Sequence, residues 1–268
     1  MDNEKAVVRD FWEEASCGEK LYLSGHEKEH FLRQAAIRYE LEPYVLDFAE
    51  FHRHKNQRVL EIGVGLGADH QQFAEAGANL YGVDLTKRAV YNTSKRFEGL
   101  GLKSSLSVAD AETLPFNDKS FDTVYSWGVL HVTPDTPKAI NEVFRILKPG
   151  GVAKIMIYHK YSMVGYMLWL RYALLRFRPT MSLKEVYYKY LESEGTKAYT
   201  KAEARELFAN FKDLKVEIFL THGDLLTSSA GQRHEGLALS IARRIWPRWI
   251  IKKVFSNHGL FMAITGTK

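Results

Sequence analysis

Short apolar runs alternate with polar, glycine-containing segments along most of the chain. Five such runs predict strands of a buried sheet, with helix-like spacing between several of them. They begin at Val59, Asn79, Leu106, Phe121 and Val152. Two later runs, 215–221 and 260–265, predict a sixth and a seventh strand. Strands that alternate with helices indicate an α/β fold.

Segments without this strand pattern surround the predicted sheet. Residues 1–57 have helical spacing, interrupted at Pro43, and we expect them to form an N-terminal helical cap. Residues 58–268 then form the main domain, with two insertions, 159–199 and 222–259, that a seven-stranded core does not need. Both insertions follow the ends of predicted strands, so either can cover a binding site at that edge of the sheet.

The amino-acid composition excludes some kinds of site but does not identify the function. The chain has 268 residues, 46% of them hydrophobic, and a net charge of +5, which fits a globular protein with a mild basic excess. Cys17 is its one cysteine, so an internal disulfide and a cysteine-based metal site are excluded. The first residues lack the apolar region of a signal peptide, and together these features favour a cytoplasmic location.

A glycine-rich turn follows the first predicted strand, with Gly63, Gly65 and Gly67 at alternate positions and helical spacing directly after them. Glycine permits the tight backbone turn that directs N–H groups at a nucleotide-like ligand. Gly63, Gly65 and Ala68 also satisfy the dinucleotide pattern G-x-G-x-x-G/A, so a nicotinamide-dependent oxidoreductase is one interpretation. Glu61 argues against it, because a carboxylate repels a pyrophosphate and attracts the cationic S-adenosylmethionine (SAM).

The segment E-x-G-x-G-x-G at 61–67 resembles motif I of class I SAM-dependent methyltransferases. The resemblance continues through D-A-E-x-L-P-F at 110–116 to a K-P-G-G turn at 148–151, and it covers 59–158 closely. It implies a Rossmann-like, doubly wound sheet of seven strands, the last of them antiparallel between the fifth and the sixth. It also implies that SAM is the cofactor.

Several positions are predicted to hold this cofactor. Asp84 ends the second strand about 20 residues past the glycines, where an acid accepts hydrogen bonds from the ribose hydroxyls; capping the next helix is its alternative role. The resemblance implies that Asp110 accepts from the adenine amino group and that the Ala111 N–H meets a ring nitrogen. Tyr22 and His26 are lid candidates, with simple packing as the alternative for each. The full predicted set comprises Tyr22, Glu61, Gly63, Gly65, Asp84, Leu85, Asp110, Ala111, Glu112 and Trp127.

Methyl transfer needs a general base only when the acceptor arrives protonated, and histidine is the natural choice near neutral pH. His131 is the first candidate, because the loop after the fourth strand faces the transferred methyl; capping that loop is its structural alternative. Tyr158 and His159 come next, followed by His222. The separations of these histidines fit no standard metal-ligand pattern, so no metal is expected.

The histidine candidates favour O-methylation of a small-molecule or lipid-like acceptor. Nitrogen and carbon stay open as the methylated atom. A non-catalytic SAM-fold binding protein and a nicotinamide-dependent oxidoreductase are the alternatives to a methyltransferase. No D/N-P-P-Y/F motif follows the fourth strand, which argues against methylation of DNA amino groups.

Bulky apolar and basic residues interleave at 241–253, and a similar mixture occurs around 166–178. A helix whose apolar face packs on the domain is one interpretation of this pattern. Peripheral contact with an anionic membrane, or entry of a lipid-like substrate, is another. Nucleic-acid binding is a third, but the modest net charge and the lack of a recognition motif argue against it.

Overall fold

The computed structural model describes residues 2–228 and 243–268 of the protein, which are built around one seven-stranded sheet. The strands are β1 Arg58–Ile62, β2 Asn79–Asp84, β3 Ser105–Val108, β4 Phe121–Trp127, β5 Leu147–Tyr158, β6 Lys212–Phe219 and β7 Phe261–Thr267. Their order across the sheet is β3-β2-β1-β4-β5-β7-β6. The first five strands pair in parallel, whereas β7 is antiparallel to both β5 and β6. This confirms the predicted Rossmann-like α/β fold, including the position of its last strand.

Helices in the described residues cover the sheet. They are α1 Asp2–Glu14, α2 Glu19–Tyr22, α3 Lys28–Leu41, α4 Tyr44–Ala49, α5 Ala68–Glu75, α6 Lys87–Leu100, α7 Thr136–Ile146, α8 Met163–Tyr172, α9 Leu183–Tyr190, α10 Lys201–Leu207, α11 His222–Leu225 and α12 Arg248–Val254. Short 3-10 turns occupy Phe51–His54, Leu130–Val132 and Leu174–Arg176. The helices before the sheet end close to the predicted boundary at residue 57, whereas the division into cap and main domain stays a prediction.

Local capping explains where several of these helices begin. Thr86, which precedes α6, accepts a hydrogen bond from the Ala89 N–H. Thr200 and Glu203 form a capping box at the start of α10, since the side chain of each accepts a hydrogen bond from the backbone N–H of the other.

Strand β6 begins earlier than its apolar pattern predicts. Its pairing with β7 shifts register between Lys212 and Lys215, and Asp213 lies between them with a φ of 50°. This irregularity interrupts the alternation of apolar and polar residues, so the sequence predicts only the regular part of the strand.

Two apolar clusters pack on opposite faces of the sheet, as a doubly wound fold requires. In β4, Val124 belongs to the cluster that includes Val143 of α7, whereas its neighbour Tyr125 belongs to the cluster that includes Phe73 of α5 and Phe97 of α6. A third cluster joins α8 and α9 to the ends of β5 and β7. None of the helices in the described ranges has the length and hydropathy needed to cross a bilayer.

Candidate active site

A cavity of about 230 Å³ lies at the carboxyl edge of the parallel strands, where ligands bind in open α/β sheets. Its floor runs from the glycine turn after β1, past Asp84 at the end of β2, to Trp127 at the end of β4 and Tyr158 at the end of β5. Phe261 reaches the same edge because β7 is antiparallel and therefore starts where β5 ends. Residues of α1 and α3 cover the cavity from the other side.

The three glycines of the turn have separate roles. Gly63, Gly65 and Gly67 have φ angles of 85°, 51° and 75°, a region that other residues rarely adopt. A Cβ at Gly63 would lie 2.1 Å from Val129, and one at Gly67 would lie 2.9 Å from Thr93, so packing requires both glycines. A Cβ at Gly65 would meet no atom within 4 Å. Gly65 thus keeps open the space beside the turn into which a ligand can fit.

Asp84 lies directly beside this space. Its carboxylate accepts hydrogen bonds from the N–H and the hydroxyl of Thr86, at 3.0 and 2.8 Å, and from the Gly65 N–H at 3.3 Å. Burial raises the pKa of this carboxyl, while the same hydrogen bonds act to lower it. Capping of α6, the alternative role, is carried out by Thr86 instead of Asp84.

Glu61 and His70 form a fully buried pair under the glycine turn, 2.8 Å apart. The other ring nitrogen of His70 lies 2.7 Å from the Ser104 hydroxyl, which itself donates to the Leu80 carbonyl oxygen at 3.0 Å. A hydroxyl has one proton to donate, so Ser104 accepts from His70, and His70 must carry a proton on Nε2. Burial lowers the pKa of His70 to about 3. The neutral ring therefore presents Nδ1 as an acceptor towards Glu61.

The proton between these two side chains consequently resides on Glu61. Burial and the nearby Asp69 carboxylate raise the pKa of Glu61 well above its usual range, which agrees with this arrangement. The pair as a whole is neutral. Glu61 lines the cavity as predicted, but as a carboxyl group that must lose a proton before it can act as an anion.

Asp69 connects the covering helices to the sheet. It accepts hydrogen bonds from Arg38 at 2.8 and 2.6 Å, from the Tyr39 hydroxyl at 3.0 Å and from the Tyr125 hydroxyl at 2.7 Å. Arg38 also donates to Glu42 at 3.0 Å. Among the described residues that line the cavity, Arg38 is the sole lysine or arginine.

Aromatic rings and a carboxylate form the opposite end of the cavity. The Tyr158 hydroxyl donates to Glu192 Oε1 at 2.9 Å. The rings of Tyr158 and Phe261 are parallel with centroids 5.8 Å apart, and Trp127 stands edge-on to Phe261 at 5.6 Å. This end lies over β4, β5 and β7, away from the glycine turn over β1 and β2.

A comparison with known protein families identifies the kind of domain that forms this cavity. Residues 60–155 match the family model described as a methyltransferase domain. The chain has a class I SAM-dependent methyltransferase domain. The glycine turn, Asp84 and the four parallel strands β1, β2, β4 and β5 all fall within, or within a few residues of, the matched segment.

Curated relatives match half of the chain or less. The chain is 36% identical over 106 residues to phosphoethanolamine N-methyltransferase 2 of Caenorhabditis elegans, covering 39% of this chain and 24% of that protein. It is 32% identical over 141 residues to the demethylmenaquinone methyltransferase of Tropheryma whipplei, covering 50% of this chain and 57% of that protein. The chain thus spans less than two thirds of the length of these relatives.

Solved structures share the fold over most of the chain. Phosphoethanolamine N-methyltransferase 2 of Haemonchus contortus in complex with SAM has a TM-score of 0.59 and 20% identity, covering 84% of this chain and 52% of that one. A SAM-dependent methyltransferase of Methanosarcina mazei has a TM-score of 0.55 and 20% identity, covering 82% and 96%. At this identity the likeness shows the fold alone.

Eight of the residues predicted for the site line the cavity. They are Glu61, Gly63, Gly65, Asp84, Leu85, Ala111, Trp127 and Tyr158. The other predicted residues do not line it; they are Tyr22, Asp110, Glu112, His131, His159 and His222.

Asp110 and Glu112 bond to the N-terminal helix instead of facing the cavity. Lys5 of α1 donates to Asp110 at 2.7 Å and forms an ion pair with Glu112 at 2.6 Å. Asp110 also accepts from the Glu112 N–H at 2.8 Å, and Glu112 accepts from the Asp135 N–H at 2.8 Å. These carboxylates therefore hold the loop around Ala111 in place and attach α1 to it.

His131 lies behind the cavity wall. It is fully buried, its ring centroid is 3.9 Å from that of Tyr158, and neither ring nitrogen has a hydrogen-bond partner within the described residues. Burial lowers the pKa of His131 to about 3, and the positive charge of Lys197 acts in the same direction. The structure thus separates His131 from the cavity by the ring of Tyr158, contrary to its expected position beside the transferred methyl.

The remaining candidate residues form contacts elsewhere in the domain, outside the cavity lining. His159 is buried, and its Nδ1 lies 3.2 Å from the carbonyl oxygen of Gly259. His222 contacts the Ser228 hydroxyl, and Ser228 also hydrogen-bonds to Tyr22. Tyr22 and His222 therefore come together through Ser228, outside the cavity lining. The second lid candidate, His26, lies 3.0 Å from Asn92 of α6.

Several cavity residues have no counterpart in the sequence prediction. Gln34 and Arg38 lie four residues apart on one face of α3, and Glu42 follows directly after the last residue of this helix, again four residues along. All three line the cavity. That spacing is a signal that the sequence does contain. Glu192 and Phe261 line the cavity through long-range packing, and no local pattern distinguishes them.

Proposed function

We propose that the protein transfers the methyl group of SAM to a small-molecule acceptor. The observation that carries this proposal is the open space at Gly65 beside the Asp84 carboxyl, which continues to an aromatic end of the same cavity. A donor beside the glycine turn would leave that aromatic end for a second molecule. The family match over the strands that form this edge supports the same interpretation.

The residues present fit SAM. The glycine turn offers backbone N–H groups, Asp84 lies where it can accept from ribose hydroxyls, and Ala111 lines the cavity where the adenine is expected. The indole N–H of Trp12, in the covering helix α1, is buried without a hydrogen-bond partner in the described part of the chain. A ligand in the cavity would give this donor an acceptor. When bound, SAM supplies a methyl group activated by its sulfonium.

The chain's contribution is mainly to align the reacting atoms and exclude water, which in model systems is worth about 7–11 kcal/mol. Helix α1 carries Val8 and Trp12 to the cavity and is attached through Lys5 to the loop at 110–112. Tyr158 and Glu192 are the hydrogen-bonded acid–base groups that line the acceptor end. We propose Glu192 as the proton acceptor there, with Tyr158 as the residue that positions it.

The preference for oxygen as the methylated atom rested on the histidine candidates. His131, His159 and His222 are outside the cavity lining, so they give that preference no geometric support.

A binding experiment followed by a transfer experiment tests the proposal. SAM and S-adenosylhomocysteine should raise the melting temperature, whereas NAD and NADP should not. Asp84→Asn should remove most of that shift, and Asp118→Asn, an exposed acid far from the cavity, serves as its control. Labelled methyl should then pass from SAM into a metabolite extract. Stabilisation by NAD alone would overturn the proposal, and SAM binding without any transfer would favour a non-catalytic binding protein.

We also propose that α12 makes peripheral contact with an anionic membrane. Ile245, Trp249 and Val254 are 75%, 71% and 65% exposed, which is unusual for large apolar side chains. Lys253 lies 5.2 Å over the Trp249 ring, so cationic and apolar groups share one surface, the combination that anionic bilayers attract. Residues 241 and 242 of the predicted stretch lie outside the described residues.

A further inference from the structure

The acceptor end of the cavity carries more carboxylates than cations. Glu42 and Glu192 both line it, together with the rings of Trp127 and Tyr158. Arg38 is the sole lysine or arginine among the described lining residues, and its Nε, Nη1 and Nη2 already donate to Asp69 and Glu42. One guanidinium thus serves two carboxylates, and Glu192 adds a further acidic group on the opposite side.

Aromatic rings complete this acidic surface. The centroid of the Phe261 ring lies 5.8 Å from that of Tyr158, its partner residue across the β5–β7 pairing, and 5.6 Å from that of Trp127 at the end of β4. The faces of such rings attract cations, most strongly when water is excluded. Carboxylates beside ring faces therefore favour a positively charged group and disfavour an anionic one.

We propose that the acceptor is an amine, that it enters the cavity as an ammonium ion held between Glu192 and these rings, and that its nitrogen is methylated. This inference rests on the methyl transfer proposed above. It gives the acceptor a chemical class that the sequence left open and that the histidine candidates did not favour.

Methyl transfer to the nitrogen begins with the loss of a proton. The ammonium gives one proton to the Glu192 carboxylate, which frees the nitrogen lone pair. That lone pair forms the new N–C bond to the methyl carbon, while the C–S bond breaks and its electron pair stays on sulfur as a thioether. The product leaves as a methylated ammonium, and Glu192 passes its proton to solvent.

A phosphate close to the reacting nitrogen does not suit this surface. Such a group is best held by a cation, and Arg38, the sole lysine or arginine of the described lining, already donates from all three nitrogens to carboxylates. We therefore expect a neutral or cationic acceptor body, with any phosphate held at a distance from the nitrogen.

Binding of small probes in the presence of S-adenosylhomocysteine tests the proposal. Choline and 3,3-dimethylbutan-1-ol have almost the same shape, but only choline is charged, so calorimetry with both isolates the charge. Choline should bind about tenfold more tightly than the alcohol, and phosphocholine should bind more weakly than choline. Glu192→Gln should reduce the preference for choline several-fold and leave only the part that the rings supply. Glu194→Gln, the same change at an exposed position two residues along, should preserve it.

Three results would overturn the inference. The two isosteric probes could bind equally, Glu192→Gln could behave like Glu194→Gln, or Glu192→Gln could weaken the binding of SAM as much as that of choline. The last result would mean that Glu192 holds the ammonium of SAM itself. S-adenosylhomocysteine and SAM are titrated into each variant before the probes, so loss of donor binding would be recognised separately as failure of the proposed function.

Discussion

Glu61 and His70 show how a single buried proton alters the chemistry that a motif predicts. The motif residue Glu61 is expected as a carboxylate facing a cation. In the fold, the bond from Ser104 to the Leu80 carbonyl oxygen obliges His70 to carry a proton on Nε2. Burial keeps the ring neutral, so Nδ1 is an acceptor and Glu61 keeps its proton. Four residues from separate elements decide this, so the protonation state cannot be inferred from the E-x-G-x-G-x-G pattern.

We expect the affinity for SAM to increase as the pH rises towards the raised pKa of Glu61. Burial and Asp69 raise the pKa of Glu61 in the unliganded protein, while a bound cation favours the ionised carboxylate. Binding must therefore release a proton, and it becomes more favourable as the pH rises. Calorimetry in buffers of different ionisation enthalpy would count that proton. Glu61→Gln should bind SAM more weakly and with little pH dependence; a wild-type affinity that is independent of pH would contradict the protonated pair.

At the scale of elements, helix α1 behaves as a cover that polar contacts attach to the domain. Glu13 accepts from the backbone N–H groups of Lys87 and Arg88, the first two residues of α6, at 2.9 and 3.2 Å. A carboxylate there satisfies N–H groups that have no partner within the helix and interacts favourably with the helix dipole. Contacts of this kind can be broken and reformed in water more readily than buried apolar packing.

Glu13→Gln should loosen this cover. Loss of the charge at the helix end is worth about 0.3–1 kcal/mol, which corresponds to a roughly two- to fivefold weaker affinity for SAM. Amide hydrogen exchange in α1 should accelerate as well. Glu14→Gln is the matched control, because Glu14 pairs with Lys20 within the N-terminal segment instead of with α6. Equal effects of the two substitutions would show that the contact with α6 does not hold α1 in place.

The exposed side of α12 allows a separate prediction about membranes. Co-sedimentation with phosphatidylglycerol vesicles should exceed that with phosphatidylcholine vesicles and should fall at high salt. Replacement of Lys252 and Lys253 by glutamine should reduce binding by up to about 30-fold, since each basic residue near the surface is worth about 1 kcal/mol. Lys184→Gln with Lys189→Gln, on α9, removes the same charge elsewhere. Binding that is independent of lipid charge would contradict the proposal.

For the whole molecule, buried His131 couples stability to pH. The unfolded chain binds a proton at this residue below about pH 6.5, whereas the folded protein, with a pKa of about 3, does not. The unfolded state therefore binds more protons between these values, and acidification lowers the free energy of unfolding by about 1.4 kcal/mol per pH unit.

His131→Leu should reduce this acid sensitivity by the equivalent of one proton. Leucine keeps an apolar group of similar size against the Tyr158 ring and removes the site that protonates on unfolding. Urea unfolding at several values between about pH 4 and about pH 6 would give the two slopes. A slope identical to that of the wild type would show that His131 is not held neutral by the fold.

The fold was predictable from the sequence because periodicity reports burial directly. The apolar runs at Val59, Phe121 and Val152 lead to strands that are buried on both faces, and the last strand occupies the position that the resemblance implies. The start of β6 was not predictable, since the irregularity at Asp213 breaks the alternation. The spacing of Gln34, Arg38 and Glu42 could have been recognised in the sequence. That these side chains face the cavity depends on how α3 packs on the sheet.

Residues 58–75 determine their own local structure, which consists of β1, the glycine turn and α5. Backbone conformation there depends on neighbours along the chain and on which residues tolerate a positive φ, so sequence alone located the end of the cavity at which we propose that SAM binds. The acceptor half depends on Arg38, Trp127, Tyr158, Glu192 and Phe261, which meet only when α3, β4, β5, β7 and the first insertion pack together. Side-chain direction and burial arise from that packing, and for this reason only the tertiary structure decided that His131 lies behind Tyr158 and that Glu192 faces the cavity.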